Sequence, residues 1–266
     1  MRFAINGFGR VGRTLLRVYA SREDARARLT LAAINEIADA DTVVHLARYD
    51  SNYGRYPGAI ARAASSLVID QYSVPLSHVA EVALLPWQQH QIDLVLECTG
   101  AFTDRITAEQ HLQAGASRVL FSQPAESDVD ETIVYGVNSD SLSAEMTVVS
   151  AASCTTNAVV PVLATLSRAV GIEAATITTI HSLMNDQPVL DAYHHTDLRK
   201  TRAASQSIIP VDTGLAVGIE RILPDLSGKL SAHALRVPTT KVSAIELTVA
   251  TDRVCTSEDV NAALRT

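Results

Sequence analysis

Apolar and polar positions along the chain fall into two periods, one of short unbroken runs and one of helical spacing. Phe3-Ala4-Ile5 is a short apolar run closed by Asn6. Gly7-Phe8-Gly9-Arg10-Val11-Gly12 follows, and Leu15, Leu16, Val18 and Tyr19 then recur at helical spacing. The pattern predicts strand, glycine turn and helix. Leu29 to Ile34 reads as a second strand closed by Asn35-Glu36. Leu67–Ile69, Leu94–Leu96, Val119–Phe121 and Ile133–Val137 read as further strands, and Ala108 to Ala114 as a helix ending at Gly115. Strands alternating with helices predict parallel pairing in a doubly wound α/β sheet.

Near Thr147 the pattern changes. Val148-Val149 is apolar, Ser150 to Asn157 is rich in small polar residues, and a helical run extends from Val159 to Ala169. Ala175 to Leu183 reads as a long strand and Ser243 to Ala250 as an alternating one. A boundary near Ser150 divides the chain into domains over residues 1–150 and 151–266. Close to the end, Ser257 reads as the N-cap of a short final helix.

Composition narrows the partners. A chain of 266 residues with 22 Lys+Arg against 29 Asp+Glu carries a formal charge of −7, which gives no general attraction to nucleic acid. The low aromatic share, 5%, suits an α/β protein better than an aromatic-rich sandwich. No apolar run reaches membrane-spanning length, and the N-terminus lacks a signal-peptide pattern. Cys98, Cys154 and Cys255 are odd in number and widely spaced, which argues against a disulfide framework or a zinc site and for a reducing cytoplasm.

Two motifs carry chemistry. Gly7, Gly9 and Gly12 fit G-x-G-x-x-G between a strand and a helix, where small residues let a pyrophosphate approach free N–H groups at the helix start. Glu36, at the end of the next strand, is placed to accept hydrogen bonds from ribose hydroxyls and to repel a 2′-phosphate, which favours NAD over NADP. Cys154, in Ser153-Cys154-Thr155-Thr156-Asn157, stands before a helix whose dipole stabilises a thiolate. Cys98, inside an apolar run, reads as a small core residue. His181 follows a β-rich stretch and could pair with such a thiolate as acid and base, or be structural. The adjacent His194-His195 does not read as a metal pair. Arg199, Lys200, Arg202 and Arg236 are either a solvated or salt-bridged face or a grip on a phosphorylated substrate, to which Thr213-Gly214 would add a hydroxyl and an N–H.

Ala4-Ile5-Asn6-Gly7-Phe8-Gly9-Arg10, Ser153-Cys154-Thr155-Thr156-Asn157 and Arg236-Val237-Pro238-Thr239 together resemble the signatures of the glyceraldehyde-3-phosphate dehydrogenase superfamily. The segments His181 to Gln187 and Asp191 to Gln206 resemble most closely its branch that oxidises D-erythrose 4-phosphate. The resemblance implies a Rossmann NAD-binding domain followed by an α+β catalytic domain with a mixed or antiparallel sheet. It implies NAD contacts from Gly7, Gly9, Arg10, Val11, Gly12, Glu36, Thr99, Gly100 and Ser122. It further implies Cys154 as nucleophile, His181 as the residue that activates it, and substrate contacts from Ser153, Thr155, Arg199, Lys200, Thr213, Gly214 and Arg236. No metal is implied. The implied reaction takes a phosphorylated aldehyde through a thioester, released by water to 4-phosphoerythronate for pyridoxal phosphate synthesis, or by phosphate in the glyceraldehyde enzymes. The implied assembly is a cytoplasmic homotetramer.

Departures from the family pattern sharpen these expectations. Met184 and Pro188 stand where glyceraldehyde enzymes carry Thr and Lys, which favours hydrolysis. Gly214 is what the glyceraldehyde enzymes carry, and Lys200 replaces a common Arg. Val79-Ala80 stands where an Arg often contacts the adenine side. Trp87 is the chain's single Trp, so the Trp-containing Asn-Glu segment near the family's C-terminus is expected to be missing. On that expectation the catalytic half is incomplete and the chain is inactive in one alternative.

Overall fold

The computed structural model describes residues 1–194 and 197–265. His195 and Thr196, which belong to the segment carrying the branch resemblance, lie outside the described residues, as does Thr266. The chain divides into two compact units, Met1–Ile133 with Ser139–Ser153, and Val134–Asn138 with the residues from Cys154 onward.

The first unit begins with β1 (Arg2–Asn6), α1 (Arg10–Ser21), α2 (Glu23–Arg28), β2 (Thr30–Asn35) and α3 (Ala40–Arg48). A small ladder of β3 (Tyr49–Asp50) and β4 (Gly54–Arg55) precedes β5 (Ile60–Ala63), β6 (Ser66–Ile69) and β7 (Tyr72–Ser77). Then come α4 (Trp87–His90), β8 (Leu94–Glu97), α5 (Arg105–Gln113), β9 (Arg118–Phe121), β10 (Glu131–Thr132) and β11 (Val148–Ser150). Nine of these strands form one sheet in the order β10-β11-β9-β8-β1-β2-β7-β6-β5. Pairing is parallel from β10 to β7, which places the carboxyl ends of β1, β2, β8 and β9 along one edge. β1 and β2 are buried along nearly their whole length, as expected for strands covered on both faces. Asp39 caps α3 by accepting from Asp41 N and Thr42 N, and Asp104 caps α5 by accepting from Thr107 N.

Two expectations fail in this unit. Leu67–Ile69 does form a strand, but within an antiparallel β5-β6-β7 meander. The connecting turns are far too short for a crossover helix, and Asp70 turns the second at φ +54°. Ile133–Val137 is not a strand; only Glu131–Thr132 pairs with β11. Beyond it the chain turns at Gly136, φ +81°, and the Asn138 side chain accepts from Val134 N at 2.8 Å in place of a ladder partner.

The second unit contains α6 (Cys154–Val170), β12 (Ala174–His181), β13 (Ile209–Val211), α7 (Leu215–Ile222), β14 (Leu230–Arg236), β15 (Ala244–Ala250) and α8 (Ser257–Leu264). Its sheet runs β13-β14-β12-β15 and is mixed, with β12 and β14 parallel and the outer pairs antiparallel. α6 buries Val159, Val160, Leu163, Leu166 and Val170 on one stripe, and β12 buries alternate residues including Ile177. The final helix is capped by Thr256 rather than Ser257. Thr256 Oγ1 accepts from Asp259 N while the Asp259 carboxylate accepts from Thr256 N, a reciprocal box that Ser257 is one position too late to make. Among the described residues, no helix is long and apolar enough to cross a membrane.

Candidate functional site

The three glycines after β1 do three different things. Gly7 has φ +86°, and a Cβ there would stand 2.6 Å from Thr99 N. At Gly12, in the first turn of α1, a Cβ would overlap the Gly7 carbonyl oxygen. Both are demanded by the turn itself. Gly9 is different: nothing lies within 4 Å of where its Cβ would be, so the backbone here is open to a ligand. Arg10 and Val11 begin α1 on its exposed side. The helix start has no side-chain cap and no acidic residue in its first turn, so its N–H groups and positive dipole are not offset by the helix's own side chains.

Glu36 lies just past β2. Its Oε2 accepts from Phe8 N at 2.7 Å and its Oε1 from Ala38 N at 3.1 Å, which ties the carboxylate to the glycine turn. Thr99 and Gly100 are exposed beyond β8, Gly100 with φ +72°. Ser122 follows β9, and its N–H donates to Glu97 O at 3.0 Å. The expected cofactor residues are thus brought to one edge of the sheet. An open backbone at Gly9, an unneutralised helix start and a carboxylate beside them fit the pyrophosphate and ribose of a dinucleotide.

Sequence reasoning missed what lies beneath this edge. Glu97 is fully buried, and its carboxylate accepts from Asn6 Nδ2 at 2.6 Å, from Thr99 N at 2.8 Å and from Thr99 Oγ1. His111 Nε2 stands 3.1 Å from the same carboxylate, and Trp87 Nε1 stands 2.9 Å from His111 Nδ1. An indole N–H only donates, so Nδ1 of His111 accepts and the ring proton of neutral His111 sits on Nε2, aimed at Glu97. Asn6 continues the chain to Asn35, whose side chain also holds Val79 through N–H and carbonyl. The available signal was that Asn6, Asn35 and Glu97 each close an apolar run with a polar residue. Val79 therefore serves as part of this network's frame.

In the second unit, Cys154 is exposed at the start of α6 and His181 ends β12. Cys154 Sγ lies 3.5 Å from His181 Nε2 and 3.9 Å from Thr155 Oγ1. The histidine contact, helped by the Thr155 hydroxyl and N–H, holds the Cys154 thiol below its ordinary range against an opposing desolvation. The same contact raises His181, helped by the Ser182 carbonyl; burial and the charge of Arg236 oppose it. β12 and β14 pair in parallel with His181 opposite Arg236, which explains how residues 55 apart in sequence meet. Arg236 Nη1 stands 2.8 Å from His181 Nδ1. Desolvation lowers the Arg236 guanidinium, with Asp186 and Cys154 acting in the opposite sense.

The remaining substrate candidates are placed less uniformly. Thr155 is in the first turn of α6, and Ser153 ends the first unit. Thr213 and Gly214 precede α7, with Thr213 Oγ1 accepting from Leu215 N. Arg199 is not a bare cation: it pairs with Asp197 at 3.0 Å and Asp212 at 2.7 Å. Lys200 likewise holds Asp186 at 3.0 Å, and Arg202 holds Asp191 at 2.7 Å. Cys98 is buried as expected, and burial pushes its thiol up to about 12, which removes it as a nucleophile. Among the described residues, no group of three or more His, Cys, Asp or Glu could hold a metal.

Comparison with known families joins the two halves. The NAD-binding domain of glyceraldehyde 3-phosphate dehydrogenase matches residues 1–105, which include the glycine turn, Glu36 and Glu97 to Gly100. The C-terminal domain of glyceraldehyde 3-phosphate dehydrogenase matches residues 153–266, which include Cys154, His181 and Arg236. NAD is therefore the cofactor of the first unit, and the two matches together span most of the chain. With a dinucleotide edge in one unit and a thiol–imidazole pair in the other, the chain belongs to the glyceraldehyde 3-phosphate dehydrogenase family of NAD-dependent oxidoreductases for phosphorylated aldehydes.

Proposed function

We propose that the chain oxidises D-erythrose 4-phosphate to 4-phosphoerythronate, a reaction that feeds pyridoxal phosphate synthesis. The observation that carries the chemistry is the 3.5 Å approach of Cys154 Sγ to His181 Nε2 at a helix start. Cys154 Sγ attacks the aldehyde carbon, and His181 takes the thiol proton and returns it to the carbonyl oxygen of the adduct. NAD, when bound, would supply the hydride acceptor for the oxidation, with Gly7, Gly9, Gly12 and Glu36 placed to hold its pyrophosphate and ribose, while His181 takes the hydroxyl proton of the adduct and passes it to solvent. The resulting Cys154 thioester is opened by water, His181 accepts the water proton, and Cys154 leaves as thiolate. Arg236 is the strongest substrate-phosphate ligand of the set, because its Nε has no partner among the described residues. Arg199 and Lys200 contribute only by sharing carboxylates they already hold.

Water rather than phosphate as the acyl acceptor is supported by Met184 and Pro188, which offer no charge or hydroxyl to a second anion. Gly214 favours the second reading, a phosphorylating glyceraldehyde-3-phosphate dehydrogenase. NADH formation from erythrose 4-phosphate without added phosphate is the expected result. Formation only from glyceraldehyde 3-phosphate, and only with phosphate present, would establish the second reading instead.

A further inference from the structure

Openness at Gly9 carries a conformational cost that the rest of the turn must offset. A glycine with no atom near its Cβ position is held by no side-chain contact of its own, so the Phe8–Gly9 peptide rotates freely unless something else fixes it. Two side chains do so. Phe8 N–H donates to Glu36 Oε2 at 2.7 Å, and the Phe8 carbonyl accepts from Arg13 Nη1 at 3.0 Å. The Phe8 ring is buried in the core of the first unit. The Phe8 carbonyl and the Gly9 N–H belong to one planar trans peptide and point in opposite directions. Arg13, whose side chain is 16% exposed, therefore aims the Gly9 N–H away from its own guanidinium.

Arg13 is placed for that carbonyl rather than for an ion pair. Its N–H closes the first turn of α1 by donating to Gly9 O at 3.1 Å. Its Nη2 lies 3.8 Å from Asp50 Oδ2, at the outer limit of an ion pair. The other oxygen of Asp50 accepts from Asn52 N at 2.8 Å and Tyr53 N at 3.0 Å in the turn of the β3–β4 ladder. Arg13 Nε is buried with no partner among the described residues. Desolvation lowers the guanidinium, with Asp50 and Glu36 acting in the opposite sense and Arg10 and Arg17 adding to it. A buried arginine with an orphaned donor costs stability, and for the fold alone a water would serve the Phe8 carbonyl as well. What water does not supply is a fixed cation behind the peptide, which polarises it and strengthens its N–H as a donor to an anion.

We propose that Arg13 is a positioning residue for the pyrophosphate of NAD: through the Phe8 carbonyl it orients and strengthens the Gly9 N–H that meets the anion, and it makes no contact with the cofactor itself. Glu36 then has two tasks. The carboxylate placed to read the ribose also holds Phe8 N–H, so ribose and pyrophosphate are received by one segment braced by Glu36 and Arg13. This inference rests on the placement of the pyrophosphate at Gly9 given above and is independent of which aldehyde is oxidised.

The test measures two affinities of the full chain: for NAD by calorimetry, and for adenosine, which has base and ribose but no phosphate, by nuclear magnetic resonance titration. Arg13→Met weakens NAD about tenfold, the weight of one charge-assisted hydrogen bond, and adenosine by less than about twofold. Arg13→Lys keeps a charged donor and recovers part of the loss, leaving NAD about threefold weaker than in the unaltered chain. Asp50→Asn removes the ion pair but not the carbonyl contact, and leaves both affinities within about twofold. Unchanged NAD affinity in Arg13→Met, equal losses for NAD and adenosine, or a loss in Asp50→Asn as large as in Arg13→Met overturns the proposal. If Arg13→Met does not fold, Arg13→Lys decides: a loss confined to NAD supports the role, and no loss, or one shared with adenosine, overturns it. Gly9→Ala separates the two levels of the argument. Weaker NAD binding in Gly9→Ala with Arg13→Met unchanged removes the role of Arg13 and leaves the pyrophosphate at Gly9. No loss in either variant removes both.

Discussion

His111 and His181 each have a partner at both ring nitrogens, one in each unit of the chain, and the two environments lead to opposite outcomes. His111 is fully buried, its Nδ1 faces the Trp87 indole and its Nε2 faces Glu97. Neither partner leaves a choice: the indole only donates, the carboxylate only accepts, and the neutral ring is held in one tautomer. His181 is half-buried, and its Nδ1 lies between a carbonyl and a guanidinium. A ring whose protonation is dictated from both sides is a positioning element, here for Glu97 and through it Asn6 and Thr99. A ring with competing partners can change protonation state at small cost, which acid–base chemistry requires.

The sharpest way to break this comparison is to remove each ring in turn. His181→Asn should lower kcat by about 10²- to 10⁴-fold, the usual weight of a general acid–base group, while leaving thermal melting little changed. It should also slow iodoacetamide labelling of Cys154 at neutral pH. The contact with His181 is the largest cause of the lowered thiol, so its loss moves the thiol back up and shrinks the thiolate fraction. His111→Asn should do the reverse. It leaves buried groups of Glu97 and Trp87 short of partners at a cost of about 1–3 kcal/mol, read as a lower melting temperature with a modest change in kcat. Equal rate losses in the two variants would remove the distinction.

A smaller effect separates two glycines of one turn. Gly12→Ala forces a Cβ into the Gly7 carbonyl and should cost about 1–3 kcal/mol of stability. Gly9→Ala meets no atom of the chain, so melting should hold while calorimetric NAD affinity falls. Loss of stability in both variants would mean that Gly9 is not open to the cofactor. The same network can be tested from its outer end with Trp87→Tyr or Trp87→Phe. Either removes the indole N–H and leaves the buried Nδ1 of His111 without its donor, at a cost of about 1–3 kcal/mol beyond any packing loss. It should also free His111 to exchange tautomers in nitrogen-15 spectra.

Much of the first unit was legible because its signals are local. The run at Phe3 to Ile5 is buried on both faces and that at Leu94 to Leu96 is buried or half-buried throughout, so both are recognised without a partner, and the glycine turn is contiguous. Cys154 at the start of α6 was legible for the same reason. What stayed hidden depends on partners distant in sequence. Glu97 closes an ordinary apolar run, and only the fold brings Asn6 and His111 to its carboxylate. The meander around Leu67 betrays itself through turn length rather than periodicity. β14, Leu230–Arg236, mixes Ser, Ala and His and has no β-branched residue, so its strand character comes from its pairing with β12. That pairing sets Arg236 beside His181, and nothing in either segment alone announces it.

Trp87 is the only tryptophan in the chain, and it is wholly enclosed in the first unit. Its emission is therefore a built-in optical label for the unit that encloses it. Denaturation followed in parallel by tryptophan emission and by far-ultraviolet circular dichroism would resolve whether the two halves melt together, with no probe attached to either.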